Sequence, residues 1–216
     1  MWYATAFMSR LLVFATFGAI LLSPLSGETR WSVDGSLSPR IGIFLDFDQE
    51  PPLAAILAME REVGLLLSET GARFSWLMLN KDTRAETFDG LAVLRFRGNC
   101  HMPQLGLATS DDGARITLGS TEVESERVTP YSSVECDQIT ACIASLLRSS
   151  CARDRQTAFS RALGRVVAHE LYHILARTRQ HTHAGISKAM QSPFDLIKEN
   201  FQLDKQALVL LRGAWK

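Results

Sequence analysis

Apolar and polar residues follow one another in the first half of the chain in an order that predicts a strand, a helix and two further strands. The apolar run at 40–47 and the segment at 73–79 predict strands, and 91–97 alternates apolar with less apolar residues as a third strand does. Between the first two strands, residues 53–70 carry apolar side chains at helical spacing, and Gly71 follows as a helix stop signal. This order predicts a sheet with a helix packed across it.

The second half of the chain predicts short polar elements followed by longer helices. A turn signal precedes a short strand at 114–118, and an extended polar segment follows at 121–131. We expect one of these two segments to form an edge strand. Helices are predicted at 137–148, at a buried stretch around 159–175 and at 193–211. Strands followed by helices indicate an α+β fold with a mixed sheet.

The N-terminal segment predicts where the protein is located. The first 22 residues are almost wholly apolar apart from Ser9, Arg10 and two threonines, and residues 23–27 break the run. A charged start, a short apolar core and a small-residue exit are typical of a secretory signal peptide, so we expect cleavage near Ser26 or Gly27 and a secreted or periplasmic protein. The alternative is an uncleaved signal anchor that tethers the protein to a membrane.

Length and charge restrict the organisation of the rest of the chain. A signal peptide at 1–27 leaves 28–216, which fits a single domain with a sizeable core. Lysine and arginine together number 23, as do aspartate and glutamate, so the formal net charge is zero. This balance does not favour nucleic acid as a partner. We expect a monomer that makes no membrane contact after signal cleavage.

Four cysteines are present, and all of them lie after the predicted signal peptide. An even number of cysteines in an exported chain predicts two disulfides, for which three pairings are possible. We expect one bridge to connect the end of the third strand to the segment before the helix at 159–175. No CxxC pair is present, so a zinc site built on cysteine is not expected. The four residues are Cys100, Cys136, Cys142 and Cys151.

The helix at 159–175 contains an HExxH motif, formed by His169, Glu170 and His173. Histidines four residues apart on a helix lie one turn apart on the same face, so both imidazoles can reach one metal ion. Glu170 lies at the edge of that face, offset from the ligands but close enough to hold a water on the metal. The motif predicts a zinc site with Glu170 as its general base.

Histidine is concentrated around this motif. Four of the five histidines of the chain fall within fifteen residues, because His181 and His183 follow the motif closely. In the alternative interpretation, His169 and His173 are ordinary helix histidines paired with Glu170 or with solvent. That interpretation does not explain the concentration of histidine, and we therefore favour the metal site.

The stretch 169–190 resembles the zinc-binding region of the metzincin clan of zincin metallopeptidases. The pattern of that clan is HExxHxxGxxH, followed by a turn that contains a methionine beneath the metal. The first half matches this sequence residue for residue. The second half departs from it, because Ala176 occupies the glycine position and Arg179 the position of the third histidine. The resemblance implies a zincin-like α+β fold: a mixed, mostly antiparallel, twisted sheet with a backing helix, an active-site helix and a C-terminal helix.

The departures leave the third metal ligand open. Without a glycine the helix is expected to run to about Arg177 or Thr178, and the wider turn that follows makes His181 the first histidine able to return to the metal. His183 is the alternative, since residues two apart in an extended stretch point the same way. Glu199, on the predicted C-terminal helix, is a further candidate. Met190 lies at a suitable distance to be the methionine of the turn.

The resemblance implies a secreted zinc metalloendopeptidase that takes a peptide or protein substrate. In this interpretation Zn²⁺ is held by three imidazoles, a water activated by the zinc attacks the peptide carbonyl, and Glu170 transfers its proton to the leaving amine. The segment 121–131 is the candidate edge on which a substrate strand is held. One alternative is a secreted zinc-binding or catalytically inactive homologue that acts as an interaction protein. The other is a non-peptidase metal hydrolase or an interaction domain whose HExxH motif is incidental.

Overall fold

The computed structural model describes residues 38–81, 86–102 and 116–214. The predicted signal peptide at 1–27 and the predicted start of the domain at residue 28 lie outside the described residues. Leu37–Lys216 forms one unit. Within the part of the chain that the structure describes, no helix combines the length and the hydrophobicity needed to cross a bilayer.

A single mixed sheet of five strands forms the centre of the fold. The strands are β1 (Arg40–Gln49), β2 (Arg73–Met78), β3 (Gly90–Asn99), β4 (Gly119–Glu124) and β5 (Arg127–Glu135). Their order across the sheet is β2–β1–β3–β5–β4. β1 pairs in parallel with β2 and β3, and β3 pairs in parallel with β5. β4 runs antiparallel to β5 and is the edge strand expected in this region of the sequence.

The expectation of a mostly antiparallel sheet is wrong, because three of the four neighbouring pairs are parallel. β1 and β2 are connected through a helix, and such a crossover returns the chain in the same direction. β4 and β5 are instead joined by a two-residue turn at Ser125 and Glu126, both with positive φ, which forms a hairpin. The predicted strand at 114–118 is also wrong for the part that the structure describes. Residues 116–118 have no regular secondary structure and lead into β4.

The helices around the sheet follow the predicted order. The first, α1 (Leu53–Leu67), continues into a 3₁₀ turn at Ser68–Thr70 and ends at Gly71, whose φ of 76° confirms the stop signal. α2 (Cys136–Ala144) and its 3₁₀ extension at Ser145–Leu147 occupy the predicted helix at 137–148. These agreements show that the apolar spacing in the sequence located the elements well.

The longest helix, α3 (Ala152–Ala176), contains the HExxH motif. It packs against α1, α2, β4 and β5, and most of its residues from Ala158 onward are buried. The buried apolar residues of α3 join those of the sheet and α1 in one core. The motif is therefore on a helix whose position is set from several sides.

The predicted C-terminal helix at 193–211 is instead two short helices, α4 (Pro193–Ile197) and α5 (Lys205–Gly213). Ser192 and Asp195 form a capping box at the start of α4, and Asp204 caps α5. Between them, the carbonyl of Lys198 accepts a hydrogen bond from a buried arginine of α3 instead of continuing the helix. The two N-caps, Ser192 and Asp204, therefore mark the starts of two separate helices.

One disulfide joins Cys100, just after β3, to Cys136 at the start of α2, with a Cα–Cα distance of 4.9 Å. This bridge involves Cys100 at the end of the third strand, as expected, and its partner Cys136 begins α2, the helix that precedes the motif helix. The expectation of a second bridge is wrong, because Cys142 and Cys151 are free thiols. Cys142 lies in α2, whereas Cys151 directly precedes α3, so the two thiols belong to different helices.

Candidate metal centre

His169 and His173 lie one turn apart near the C-terminal end of α3, and a backbone carbonyl orients each ring. The Nδ1 atom of His169 is 2.7 Å from the carbonyl oxygen of Ile186, and Nδ1 of His173 is 2.8 Å from that of Thr178. A carbonyl can only accept a hydrogen bond, so both rings carry their proton on Nδ1. The lone pair of each Nε2 atom is then available to a metal.

The chain turns back immediately after α3 and brings a third histidine to this pair. Arg177 has φ 49° and ψ 42°, so it adopts the left-handed conformation that a glycine usually supplies at a helix end. The helix thus ends at Ala176, slightly earlier than expected. The ring of His181 lies 5.3 Å from that of His169 and 4.8 Å from that of His173, measured between centroids.

Three histidines, His169, His173 and His181, form a group whose potential ligand atoms all lie within 4.8 Å of one another. The Nε2 atoms of His169 and His173 are 3.1 Å apart. Zinc bonds of about 2.0–2.1 Å in a tetrahedron place two nitrogens about 3.3 Å apart, close to this distance. Since both Nε2 atoms carry lone pairs, a cation between them would relieve their repulsion. The donor set therefore fits a metal ion.

Burial keeps these imidazoles neutral, which is the form that binds metal. Burial, together with the neighbouring His173 and His181, lowers the pKa of His169 to about 4, against the opposing effect of its hydrogen bond to the Ile186 carbonyl. The pKa values of His173 and His181 are also lowered, mainly by burial. At neutral pH all three rings are available as ligands.

Glu170 points from α3 towards the edge strand. Its side chain is buried, with 3% exposed, and the hydroxyl of Thr121 in β4 donates a hydrogen bond of 2.6 Å to its Oε2 atom. Burial raises the pKa of Glu170 to about 7, although the hydrogen bond from Thr121 opposes the shift. A Cβ atom at Gly119 would lie 2.7 Å from Oε1, so only glycine leaves room for the carboxylate there.

A cavity of about 910 Å³ contains the three histidines and Glu170. β4 lines this cavity through residues that include Thr121 and Val123, and residues of the segment from Lys188 to Pro193 line it as well. A ligand in this cavity would therefore contact the three histidines, the carboxylate and an edge strand together.

Other sequence candidates lie outside the histidine group. His183 and Glu199 are exposed and do not belong to it, and Glu199 follows α4 in a segment that is not helical. Met190 lines the cavity, but 68% of it is exposed. This exposure does not match a methionine packed beneath a metal, so the structure does not support the predicted methionine turn.

Two residues that support the site were not identified from the sequence. Tyr172, within the motif, packs its ring against that of His173, with 5.2 Å between the ring centroids. Its hydroxyl donates a 3.0 Å hydrogen bond to the carbonyl of Gln180 and so holds the segment before His181. A buried tyrosine needs an acceptor for its hydroxyl, and that need was the only signal in the sequence. Thr121 lies in the predicted edge segment, but nothing local indicated its bond to Glu170.

The histidine group predicts different results for the two late histidines. We expect His181→Ala to weaken zinc binding by at least about 100-fold, because loss of a direct ligand costs more than loss of a residue that orients one. His183→Ala serves as the matched control and should bind zinc as the unsubstituted protein does. Competition with a chromophoric chelator measures both affinities. Equal weakening in the two variants would contradict the grouping seen in the structure.

The sequence matches no protein-family model, and none of the curated proteins is significantly similar to it. The class that fold and site define is therefore an α+β protein with a mixed five-stranded sheet and a three-histidine group able to hold a metal ion.

Proposed function

We propose that the protein is an exported zinc-dependent metallopeptidase of the zincin type. The observation that carries this proposal is the arrangement in one cavity of three neutral histidines, a buried carboxylate and an edge strand. His169, His173 and His181 would hold the ion. Three imidazoles without a carboxylate or thiolate favour a borderline metal such as zinc and leave its charge uncompensated.

Bound zinc would supply a Lewis acid that polarises a substrate carbonyl and lowers the pKa of a water molecule. Glu170, in the same cavity, accepts a proton from the attacking water and passes it to the leaving nitrogen. The water oxygen forms the new bond to the carbonyl carbon, the C–N bond breaks, and a carboxylic acid and an amine result. Thr121 supports this role because its hydrogen bond holds the carboxylate in one orientation.

The edge strand supports a peptide as substrate. β4 pairs with β5 on one side, and its residues Thr121 and Val123 line the cavity beside the histidines. An extended peptide can add to the free side of an edge strand through main-chain hydrogen bonds. Such binding would place a peptide carbonyl along the cavity and would depend little on side chains.

The disulfide between Cys100 and Cys136 supports location outside the cytoplasm, since structural disulfides persist in oxidising compartments. A signal anchor at the N-terminus would hold the same domain at the outer face of the membrane.

Removal of the metal tests the proposal directly. We expect the purified protein to contain about one zinc per chain and to cleave a quenched, unfolded protein substrate. A chelator should abolish cleavage, because the histidines and Glu170 have no strong electrophile of their own, and added zinc should restore it. A buffer exchange without chelator is the control. Cleavage that continues in zinc-free protein would refute the metallopeptidase.

A further inference from the structure

The loop 181–188 folds back on itself, and each of its ends serves the metal centre. The backbone N–H of Thr182 donates to the carbonyl of Ser187 at 3.0 Å, which closes the loop. His181 stands at the start of the loop, while the carbonyl of Ile186 near its end accepts the hydrogen bond from His169. The shape of the loop therefore determines where one ligand lies and how another is oriented.

Asp204, the N-cap residue of α5, hydrogen-bonds to two side chains of this loop. Its Oδ2 atom accepts a 2.8 Å hydrogen bond from the hydroxyl of Thr182 and another from that of Ser187. Both hydroxyl residues are buried, Thr182 with 7% exposed and Ser187 with none. The other oxygen, Oδ1, accepts from the backbone N–H of Ala207 and caps α5. One carboxylate thus connects the loop to a helix N-terminus.

A close backbone contact confirms that the loop is seated on this segment. Gly185 has φ 66°, and a Cβ atom there would lie 2.6 Å from the carbonyl oxygen of Gln202 and 2.9 Å from the backbone nitrogen of Asp204. Only glycine combines that conformation with that space. The backbone of the loop therefore lies against residues 202–204, and the loop also donates hydrogen bonds to the Asp204 carboxylate within the same three residues.

We propose that Asp204 is a positioning residue for the metal centre, which it preorganises through Thr182 and Ser187. This inference rests on the proposed function, since it assumes that the three histidines bind a metal ion. Hydrogen bonds to a carboxylate are stronger than those between neutral groups, so Asp204 restrains the loop more firmly than a neutral residue could. Residues that orient metal ligands typically contribute about 10–100-fold to metal affinity.

The test removes the hydroxyl of Thr182 without changing the volume of its side chain. We expect Thr182→Val to weaken zinc binding by about 10–100-fold, measured by competition with a chromophoric chelator, and to alter the absorption spectrum of the Co²⁺-substituted protein. Thr182→Ser, which keeps the hydroxyl, should bind zinc within a few-fold of the unsubstituted protein. Thr182→Val binding as tightly as the unsubstituted protein would overturn the inference.

A double-mutant cycle attributes the effect to Asp204. If Asp204 acts through Thr182, Asp204→Ala and Thr182→Val should together weaken zinc binding by much less than the product of their separate factors. Fully multiplicative factors would overturn the role of Asp204. Leu211→Ala, at a buried position of α5 outside the hydrogen-bonded network, is the control for general destabilisation and should leave zinc affinity unchanged. Equal weakening by Leu211→Ala would mean that overall stability, not positioning, sets the affinity.

The two proposals fail in different ways. Unsubstituted protein that takes up no zinc would refute the proposed function. Unsubstituted protein that binds zinc tightly, with variants of Thr182 and Asp204 that bind equally well, would refute only the positioning role.

Discussion

Glu170→Gln is expected to retain about one zinc per chain and to lose peptide cleavage by a factor of about 10²–10⁴, the usual contribution of a general acid–base group. The carboxamide has nearly the same shape, and its oxygen can still accept the hydrogen bond from Thr121. It cannot accept the proton of the attacking water or return it to the leaving amine. Zinc content by elemental analysis and kcat on a quenched peptide measure the two effects separately.

Glu199→Gln is the matched control for this substitution. Glu199 is exposed and lies outside the histidine group, so both zinc content and kcat should remain at the level of the unsubstituted protein. If Glu170→Gln cleaves peptides at the normal rate, the peptidase mechanism is wrong. If the unsubstituted protein binds zinc but cleaves nothing, the non-catalytic zinc-binding alternative takes its place.

Arg165→Met is expected to lower the free energy of unfolding by about 3–5 kcal/mol, the cost of removing one partner from a buried ion pair. Arg165 lies in α3 with 1% of its side chain exposed, and its Nε atom donates to Glu62 of α1 at 2.8 Å. Its other nitrogens donate to the carbonyls of Asp195 and Lys198, both at 2.6 Å. The substitution leaves a carboxylate and two carbonyls without their donor. Equilibrium unfolding in urea measures the loss.

Two further variants make the interpretation of Arg165→Met specific. Arg153→Met, at an exposed position of the same helix, should change stability by no more than about 0.5 kcal/mol. Glu62→Gln added to Arg165→Met should recover part of the loss, because it removes the charge that the first substitution leaves unpaired. A loss below about 1 kcal/mol for Arg165→Met would contradict the view that this arginine joins α1, α3 and the segment after α4.

Local patterns in the sequence were sufficient to locate β1, α1, β2 and β3 and to place the motif on a buried helix. Apolar spacing reports which face of an element is buried, and Gly71 marks a helix end by its own conformation. The same patterns did not show that the sheet is mostly parallel, since side chains alternate identically in both kinds of pairing. The direction of a strand depends on the path of the chain between strands, which no local pattern contains.

The candidate metal centre was likewise predictable from the sequence only in part. The sequence by itself determined that His169 and His173 share one helix face with Glu170 beside them, because helical geometry follows from four residues of spacing. The spacing also favoured His181 as the third histidine, but only the tertiary structure decided between His181 and His183, and only it placed Thr121 and Asp204 against the site. Those choices depend on where the chain turns after Arg177 and on which distant groups meet the buried hydroxyls and carbonyls, which are properties of the packed molecule.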